Sequence, residues 1–255
     1  MIRRMFALCL FLSLAAAAPL AHGAESFTIG VMNDQSGPYA DLAGPGSVEM
    51  ARMAIEDFGG AVLGKPIELL VADHQNKVDV GLAIARQWYD ERGARAIFDI
   101  TNSGVALAIQ DLAKARDRIV IFDSASSSDL TAKACSPNGV QWNADNWSNG
   151  VALMRLLIQQ KLDSFFFITA DYAFGASLEA DARDAIAKAG GTVVGSVRSR
   201  SGAPDSFVSS TRSLVSLVES TMCSRFRRIA CRDRARFIIG GSCRSAPLFF
   251  ADPNG

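Results

Sequence analysis

The chain has 255 residues, 49% of them hydrophobic and 20% charged, and its 26 basic and 26 acidic side chains cancel to a formal net charge of 0. That balance excludes the basic surface a nucleic-acid partner requires, while the length suffices for one large or two small units, each with its own core. The charge is unevenly spread: Ala24 to Asp205 carries 16 basic and 23 acidic residues, and Ser206 to Gly255 carries 8 basic residues, all Arg, against 3 acidic ones.

The first 23 residues have a basic start at Arg3 and Arg4, an apolar run from Met5 to Ala18 and the small-residue pattern Ala21-His22-Gly23. This is the form of a secretory signal peptide, cleaved after Gly23 or Ala24. The run is shorter than the roughly 18 to 20 residues of a membrane span, so an exported, soluble mature protein is expected. Phe27 to Asn33 is an apolar run without alternation, the pattern of a strand buried on both faces of a parallel sheet. A polar loop, DQSGPYADLAGPG, leads to a helix from Ser47 to about Phe58, then a strand from Pro66 to Ala72 and a helix around Val80 to Tyr89 stopped by Gly93.

The next stretch, Ala96 to Thr131, reads as one βαβ unit: strand Ala96 to Ile100, loop Thr101 to Gly104, helix Val105 to Lys114, strand Arg118 to Phe122 and loop Asp123 to Ser128. Both post-strand loops open at the carboxyl edge of the sheet, where open α/β sheets bind ligands. Ser103 stands beside the unpaired N–H groups of a helix start, a place that holds a carboxylate, or else it serves only as a cap. Ser124 and Ser126 bring further hydroxyls to the same crevice, unless the serine run is only a turn.

Cys135 to Trp147, rich in Pro, Gly and Asn, reads as a crossover into a second α/β half. That half runs through helix Trp147 to Lys161, strand Ser164 to Thr169, loop Ala170 to Gly175, helix Ala176 to Ala189, a Gly190-Gly191 stop and strand Thr192 to Val197. Two such halves predict a cleft between them, with Tyr172 and Phe174 placed in the second half where Ser103 lies in the first. Beyond Asp205 the βα rhythm is expected to be lost, and a reading-frame shift near codon 205 or a genuine basic tail would account for it.

Several motifs carry no chemistry. GGAVLGK at Gly59 to Lys65 mimics a phosphate loop, but Pro66 replaces the required Ser or Thr, and it joins helix to strand rather than strand to helix, so a β-turn is expected. Gly44-Pro45-Gly46 lacks the third glycine of a dinucleotide fingerprint. His74 is the single histidine after the signal segment, and its Asp-His-Gln setting predicts a surface turn; no G-x-S-x-G elbow accompanies it. Cys135, Cys223, Cys231 and Cys243 lack C-x-x-C spacing and histidine partners, so neither a metal nor a cofactor is expected. Tyr39, Trp142, Trp147, Tyr172 and Phe174 lie in loops, where flat rings at a cleft mouth suit apolar ligand groups.

IGVMNDQSGPYADLAGPGSVEMARMAIEDFGG, VLGKPIELLVADHQNKVDVGLAIARQWYD, SASSSDLTAKACSPN and TADYAFGASLEADARDAIAKAGG, in that order, resemble the leucine/isoleucine/valine-binding type of periplasmic solute-binding protein, over about Phe27 to Asp205. The resemblance implies two Rossmann-like lobes of the type I periplasmic-binding fold, with lobe 1 over residues 24–140, part of lobe 2 over 141–205, and an anomalous tail over 206–255. It also implies that the second lobe and the return to the first are incomplete. It further implies a small carboxylate ligand, an amino acid or an aromatic acid, held by Ser103, Ser124 and Ser126. Tyr39 and Leu42 from one lobe and Tyr172 and Phe174 from the other would pack on it. The expected partners are this ligand and the permease subunits of an ABC importer, the expected location is the periplasm, and the expected state is a monomer without catalysis. Two other expectations stand beside it: a defective fragment of such a receptor, and a secreted serine hydrolase using His74.

Overall fold

The computed structural model of the chain describes residues 26–199 and the backbone strand Arg236–Gly240. The signal peptide expected over residues 1–23, most of the tail expected over 206–255, and Cys223, Cys231 and Cys243 lie outside the described residues.

Strand β1 (Phe27–Asn33) is the centre of a six-stranded sheet. Its unbroken apolar sequence places it between β3 (Lys65–Asp73) and β4 (Ala96–Phe98), both parallel to it, with Met32 opposite Ala72 and Val31 opposite Phe98. The sheet continues through β5 (Ile119–Phe122) to β6 (Gly139–Gln141), again in parallel. Helix α1 (Gly44–Asp57) links β1 to β3, and α2 (Val78–Asp90) carries the chain back past β1 to β4. The strand order therefore reverses at β1, and the crevice of an open α/β sheet forms outside the carboxyl ends of β1 and β4. Helix α3 (Ser103–Ala115) completes the next crossover.

The core of this sheet gathers Met32, Ile97, Val105, Ile109, Val120 and Phe122, all fully buried. Trp88 of α2 lies so close on β1 that a Cβ at Gly30 would sit 2.2 Å from its Cζ3, so glycine is required there by contact.

A second, smaller sheet has the order β8-β7-β9, from β7 (Ser164–Ala170), β8 (Thr192–Ser199) and β9 (Arg236–Gly240), all parallel. Helices α4 (Asn146–Gln159) and α5 (Ala173–Lys188) pack on each other beside it, around Met154, Phe165 and Ile186. The chain is thus mixed α/β with two parallel-sheet lobes.

Four differences from the sequence expectation have local causes, and one expected turn is found in place. Helix α1 starts at Gly44, because Pro45 fixes a helical φ in the first turn. Strand β4 stops at Phe98 rather than Ile100, because Asp99 takes φ 60° and leaves the extended backbone of a strand. The crossover stretch contains β6, three residues whose Gly139 lets Gln110 approach closely, so a Cβ there would lie 2.2 Å from Gln110 Oε1. The GGAVLGK segment is the expected turn, here that of a hairpin, β2 (Ala61–Val62) running antiparallel to β3, with Leu63 and Gly64 at φ 51° and 75°. Finally, β9 lies in the segment expected to have no strand rhythm, and its RFIIG sequence, apolar and β-branched before a glycine pair, is a strand pattern.

Candidate functional site

The carboxyl edge of the first sheet is built from aspartates. Asp34 follows β1, Asp73 ends β3, Asp99 follows β4 and Asp123 follows β5, so adjacent parallel strands deliver one carboxyl group each to the same edge. Two of them hold loops. Asp34, fully buried, accepts from the N–H groups of Gly37 and Tyr39 at 3.0 Å each, and Asp73 accepts from Gln35 N, Gln75 N and Ser36 Oγ. Those hydrogen bonds hold the Asp73 carboxyl below its usual range against the opposing cost of burial.

Asp99 and Asp123 face each other. Asp99 is 4% exposed at φ 60° and accepts from Asn33 Nδ2 at 2.7 Å and from Ser124 Oγ at 2.9 Å. Burial, and next the charge of Asp99, push the Asp123 carboxyl up to about 6. Asn33 is fully buried; its Nδ2 also donates to Gly44 O at 2.8 Å, while its Oδ1 has no hydrogen-bond partner.

The three expected serines are brought to this edge, each in a different setting. Ser103 is the first residue of α3 and 1% exposed. The cap is the preceding residue, Asn102, whose Oδ1 accepts from Gly104 N at 2.7 Å and Val105 N at 3.1 Å. Those two N–H groups of the helix start are therefore already satisfied from within the chain. Ser124 turns its hydroxyl onto Asp99, and Ser126 donates to Ser124 O at 3.3 Å and accepts from Asn143 Nδ2 at 2.8 Å.

The aromatic side chains divide into two groups. Tyr39, 5% exposed, shares a hydrogen bond with Tyr172 across the two lobes, and Tyr172 stacks on Phe174 with ring centroids 5.9 Å apart. Burial, and next the neighbouring Tyr39, raise the Tyr172 phenol well above its usual value. The structure places Phe174 in α5 rather than in a loop, because α5 starts at Ala173; a Cβ at Gly175 would lie 2.1 Å from Ala170 O, so glycine is needed for this tight strand-to-helix turn. Trp147 lies in the first turn of α4, at the start of the helix expected from that residue. Leu42, 62% exposed, and Trp142 and Trp147, 79% and 53% exposed, stand in solvent.

Sequence reasoning missed Asn146. It opens α4, is 1% exposed, donates through Nδ2 to Phe174 O and Ser177 Oγ at 2.7 Å each, and its backbone N–H donates to Ser126 O at 2.7 Å. That backbone bond ties the Ser126 loop of the first lobe to the start of the second. Its signal in the sequence was the Asp145-Asn146 pair, in which Asp145 caps α4 by accepting from Ser148 N at 2.8 Å.

His74 is fully buried, not on the surface as its turn sequence suggests. Its Nδ1 accepts from Asn76 N at 3.0 Å, which leaves Nε2 to donate to Thr101 Oγ1 at 3.0 Å, so the neutral ring is satisfied on both sides. Burial lowers its proton affinity. With both nitrogens engaged and none on a serine, this imidazole is not arranged as the base of a hydrolase. A cavity of about 200 Å³ lies elsewhere, between the turn Ser128–Leu130 and α5, lined by Asp129, Lys133, Asp145, Trp147 and Asp181 among others; Ser128 Oγ donates to Asp181 Oδ2 there at 2.6 Å. No group of metal-ligating side chains occurs among the described residues, and Cys135 is free and exposed.

The sequence pattern of the periplasmic binding protein family matches residues 26–214, nine residues past Asp205. The Leu/Ile/Val-binding protein BraC3 of Rhizobium johnstonii is 28% identical over 179 residues, which are 68% of this chain and 47% of that protein. A periplasmic binding protein of Burkholderia mallei of known crystal structure is 38% identical, with a TM-score of 0.70 over 75% of this chain and 52% of its own. The periplasmic ligand-binding protein of a branched-chain amino acid ABC transporter from Burkholderia xenovorans is 30% identical, with a TM-score of 0.61 over 84% of this chain and 61% of its own. The chain spans about half the length of the first two of these relatives. With the family pattern running from the first strand through the last strand of the described continuous segment, the chain belongs to the periplasmic binding protein family.

Proposed function

We propose that the chain is the ligand-binding portion of an exported receptor that delivers a small carboxylate, an amino acid or an aromatic acid, to the permease of an ABC importer, without catalysis. The observation that carries this reading is the Tyr39–Tyr172 hydrogen bond, which joins the two lobes beside a switch-point crevice furnished with serines. In this reading Ser103 and Ser126 hold the ligand carboxylate and Ser124 is oriented by Asp99. Because Asn102 already occupies two N–H groups of α3, hydroxyls rather than the helix terminus do most of the holding. Tyr39, Tyr172 and Phe174 supply the walls, and Leu42, exposed in this structure, covers the ligand on closure. Hinge closure of this kind is what an importer senses, and the periplasm, a monomeric state and permease partners follow from the reading.

The test is thermal unfolding of the 255-residue chain with leucine, isoleucine, valine, phenylalanine, benzoate and 4-hydroxybenzoate. A ligand at a hundred times its Kd stabilises the native state by about 2.7 kcal/mol, a rise in Tm of roughly 5–11 °C for a domain of this size. Ser103→Ala should reduce that rise, and a panel that leaves Tm unchanged refutes the reading.

A further inference from the structure

We propose that Ser128 of the first lobe and Asp181 of the second form a latch between the lobes, a hydrogen bond that breaks when the cleft opens and that weights the chain toward the closed arrangement in which Tyr39 meets Tyr172. This goes beyond the ligand reading, because the latch is made by the chain's own groups and is independent of the ligand's identity.

Both halves of the latch stand on rigid parts. Ser128, 8% exposed, opens the short helical turn Ser128–Leu130 just beyond the Ser124 to Ser126 loop. That turn is fixed to the first lobe: the fully buried Ser127 accepts through Oγ from Asp129 N at 3.4 Å, and Gln110 of α3 donates through Nε2 to Leu130 O at 3.0 Å. Asp181, half-buried, lies in the middle of α5, which packs against both α3 and the turn. Ser128 Oγ donates to Asp181 Oδ2 at 2.6 Å, a short hydrogen bond to a carboxyl oxygen.

The same helix carries the contact at the crevice. Tyr172 immediately precedes α5 and meets Tyr39 across the lobes, and nine residues of helix place Asp181 about 13 Å further along. Helix α5 is therefore a stiff bar held to the first lobe at two points. The crossover passes between the lobes at Asp145 and Asn146, where Asn146 N donates to Ser126 O at 2.7 Å, and a hinge axis there lies close to the second point. Two residues of chain put Ser128 up to about 7 Å from that backbone bond. A rotation of about 10° then displaces the hydroxyl by about 1.2 Å and takes the 2.6 Å bond out of hydrogen-bonding range, so the latch fails early in opening.

Breaking it is reversible. A cavity of about 200 Å³ lies beside the pair, with Asp129, Lys133 and Trp147 in its walls and room for several waters. Both partners are hydrated as the lobes part, so the bond contributes its net value rather than the full penalty of a buried orphan, a shift of about tenfold in the ratio of closed to open.

The experiment uses the full chain without added ligand in a Trp142→Phe background. Of the other two tryptophans Trp88 is 5% exposed, so acrylamide quenching reads Trp147 in the cavity wall. A second readout sits at the crevice. The Tyr172 phenol, raised by burial and next by Tyr39, returns toward 10 when the lobes part, and tyrosinate absorbance follows it. Ser128→Ala should steepen the Trp147 quenching, by at most about twofold because that ring is already 53% exposed, and move the Tyr172 transition toward 10. Asp181→Ala should do the same, and the double variant should go no further than either, since both remove one bond. Asp181→Asn keeps an acceptor oxygen and should stay near the parent, as should Asp184→Asn, whose carboxylate pairs with Lys188 on the solvent side of the same helix. Steeper quenching with the Tyr172 transition unmoved is local loosening of the cavity and overturns the latch. Additive effects of the two alanine substitutions, or no change in either readout, overturn it as well. A Ser128→Ala chain in which Trp88 also becomes quenchable has lost its fold, and Asp181→Ala then decides by the same two readouts.

Discussion

Asp123→Asn should make the protein more stable at neutral and alkaline pH, and the structure sets both the sign and the size. The Asp123 carboxyl ionises at about 6 in the fold, against an ordinary value of 3.8. A group whose pKa is raised on folding contributes stability that is fully present below pH 3.8 and is lost as pH rises through about 6. At pH 8 the wild type therefore carries the whole cost of holding an ionised carboxylate that is partly desolvated and lies beside Asp99. About two pKa units correspond to about 3 kcal/mol, and discounting for the solvent that reaches an exposed residue leaves about 1–2 kcal/mol. Asparagine has nearly the same shape as the protonated acid and cannot ionise, so it keeps the stability at every pH. Urea unfolding of the two proteins at pH 8, 6 and 4 measures this: the variant should exceed the wild type by about 1–2 kcal/mol at pH 8, by less at pH 6, and by nothing near pH 4. On a thermal scale the difference at pH 8 is roughly 2–8 °C. A variant equal to or less stable than the wild type at pH 8 refutes the claim that burial and the Asp99 charge make the ionised carboxylate costly to the fold.

His74→Gln tests the buried imidazole by the opposite sign: its proton affinity is lowered on folding from 6.5, so its contribution is present above pH 6.5 and lost as pH falls. Urea midpoints of the wild type should fall more steeply than those of the glutamine variant as pH drops below 6.5, and parallel profiles would show that the histidine is not the cause. Asn146→Ala removes the two bonds to Phe174 O and Ser177 Oγ, so it should cost about 1–3 kcal/mol in urea unfolding. It should also weaken ligand binding, because the Phe174 turn is released from the start of α4 while the backbone N–H of residue 146 keeps its bond to Ser126 O; a loss of less than about 0.5 kcal/mol, the lower limit for one hydrogen bond, would contradict this.

The elements themselves were legible because parallel strands buried on both faces advertise themselves as apolar runs, and β1 and β7 begin where those runs begin. What escaped was short or set by contact at a distance. β6 has three residues and no periodicity, and its place is fixed by Gln110 reaching across from α3 to Leu130 O and Ala134 O. His74 was misread as exposed because an Asp-His-Gln triplet has the composition of a surface turn. Its burial comes from Thr101, whose hydroxyl meets the ring from a loop 27 residues away. The serines were found by residue type at the ends of strands, but their partners were not, because a side chain's hydrogen bond depends on a neighbouring strand rather than on adjacent sequence.

The aspartates were as legible as the serines, but residue type alone sets them aside, because hydroxyls and helix starts hold a carboxylate whereas acids repel one. Yet acids after β1, β4 and β5 and at the end of β3 fall at one register of one sheet, where their mutual repulsion cannot be relieved by distance. Loops can neutralise Asp34 and Asp73 through backbone N–H groups, because each lies at the start of a turn that it closes. At Asp123 the backbone N–H groups of Asp99 and Asp123 offset only part of the effect of burial and then of the Asp99 charge, and the result is a raised proton affinity.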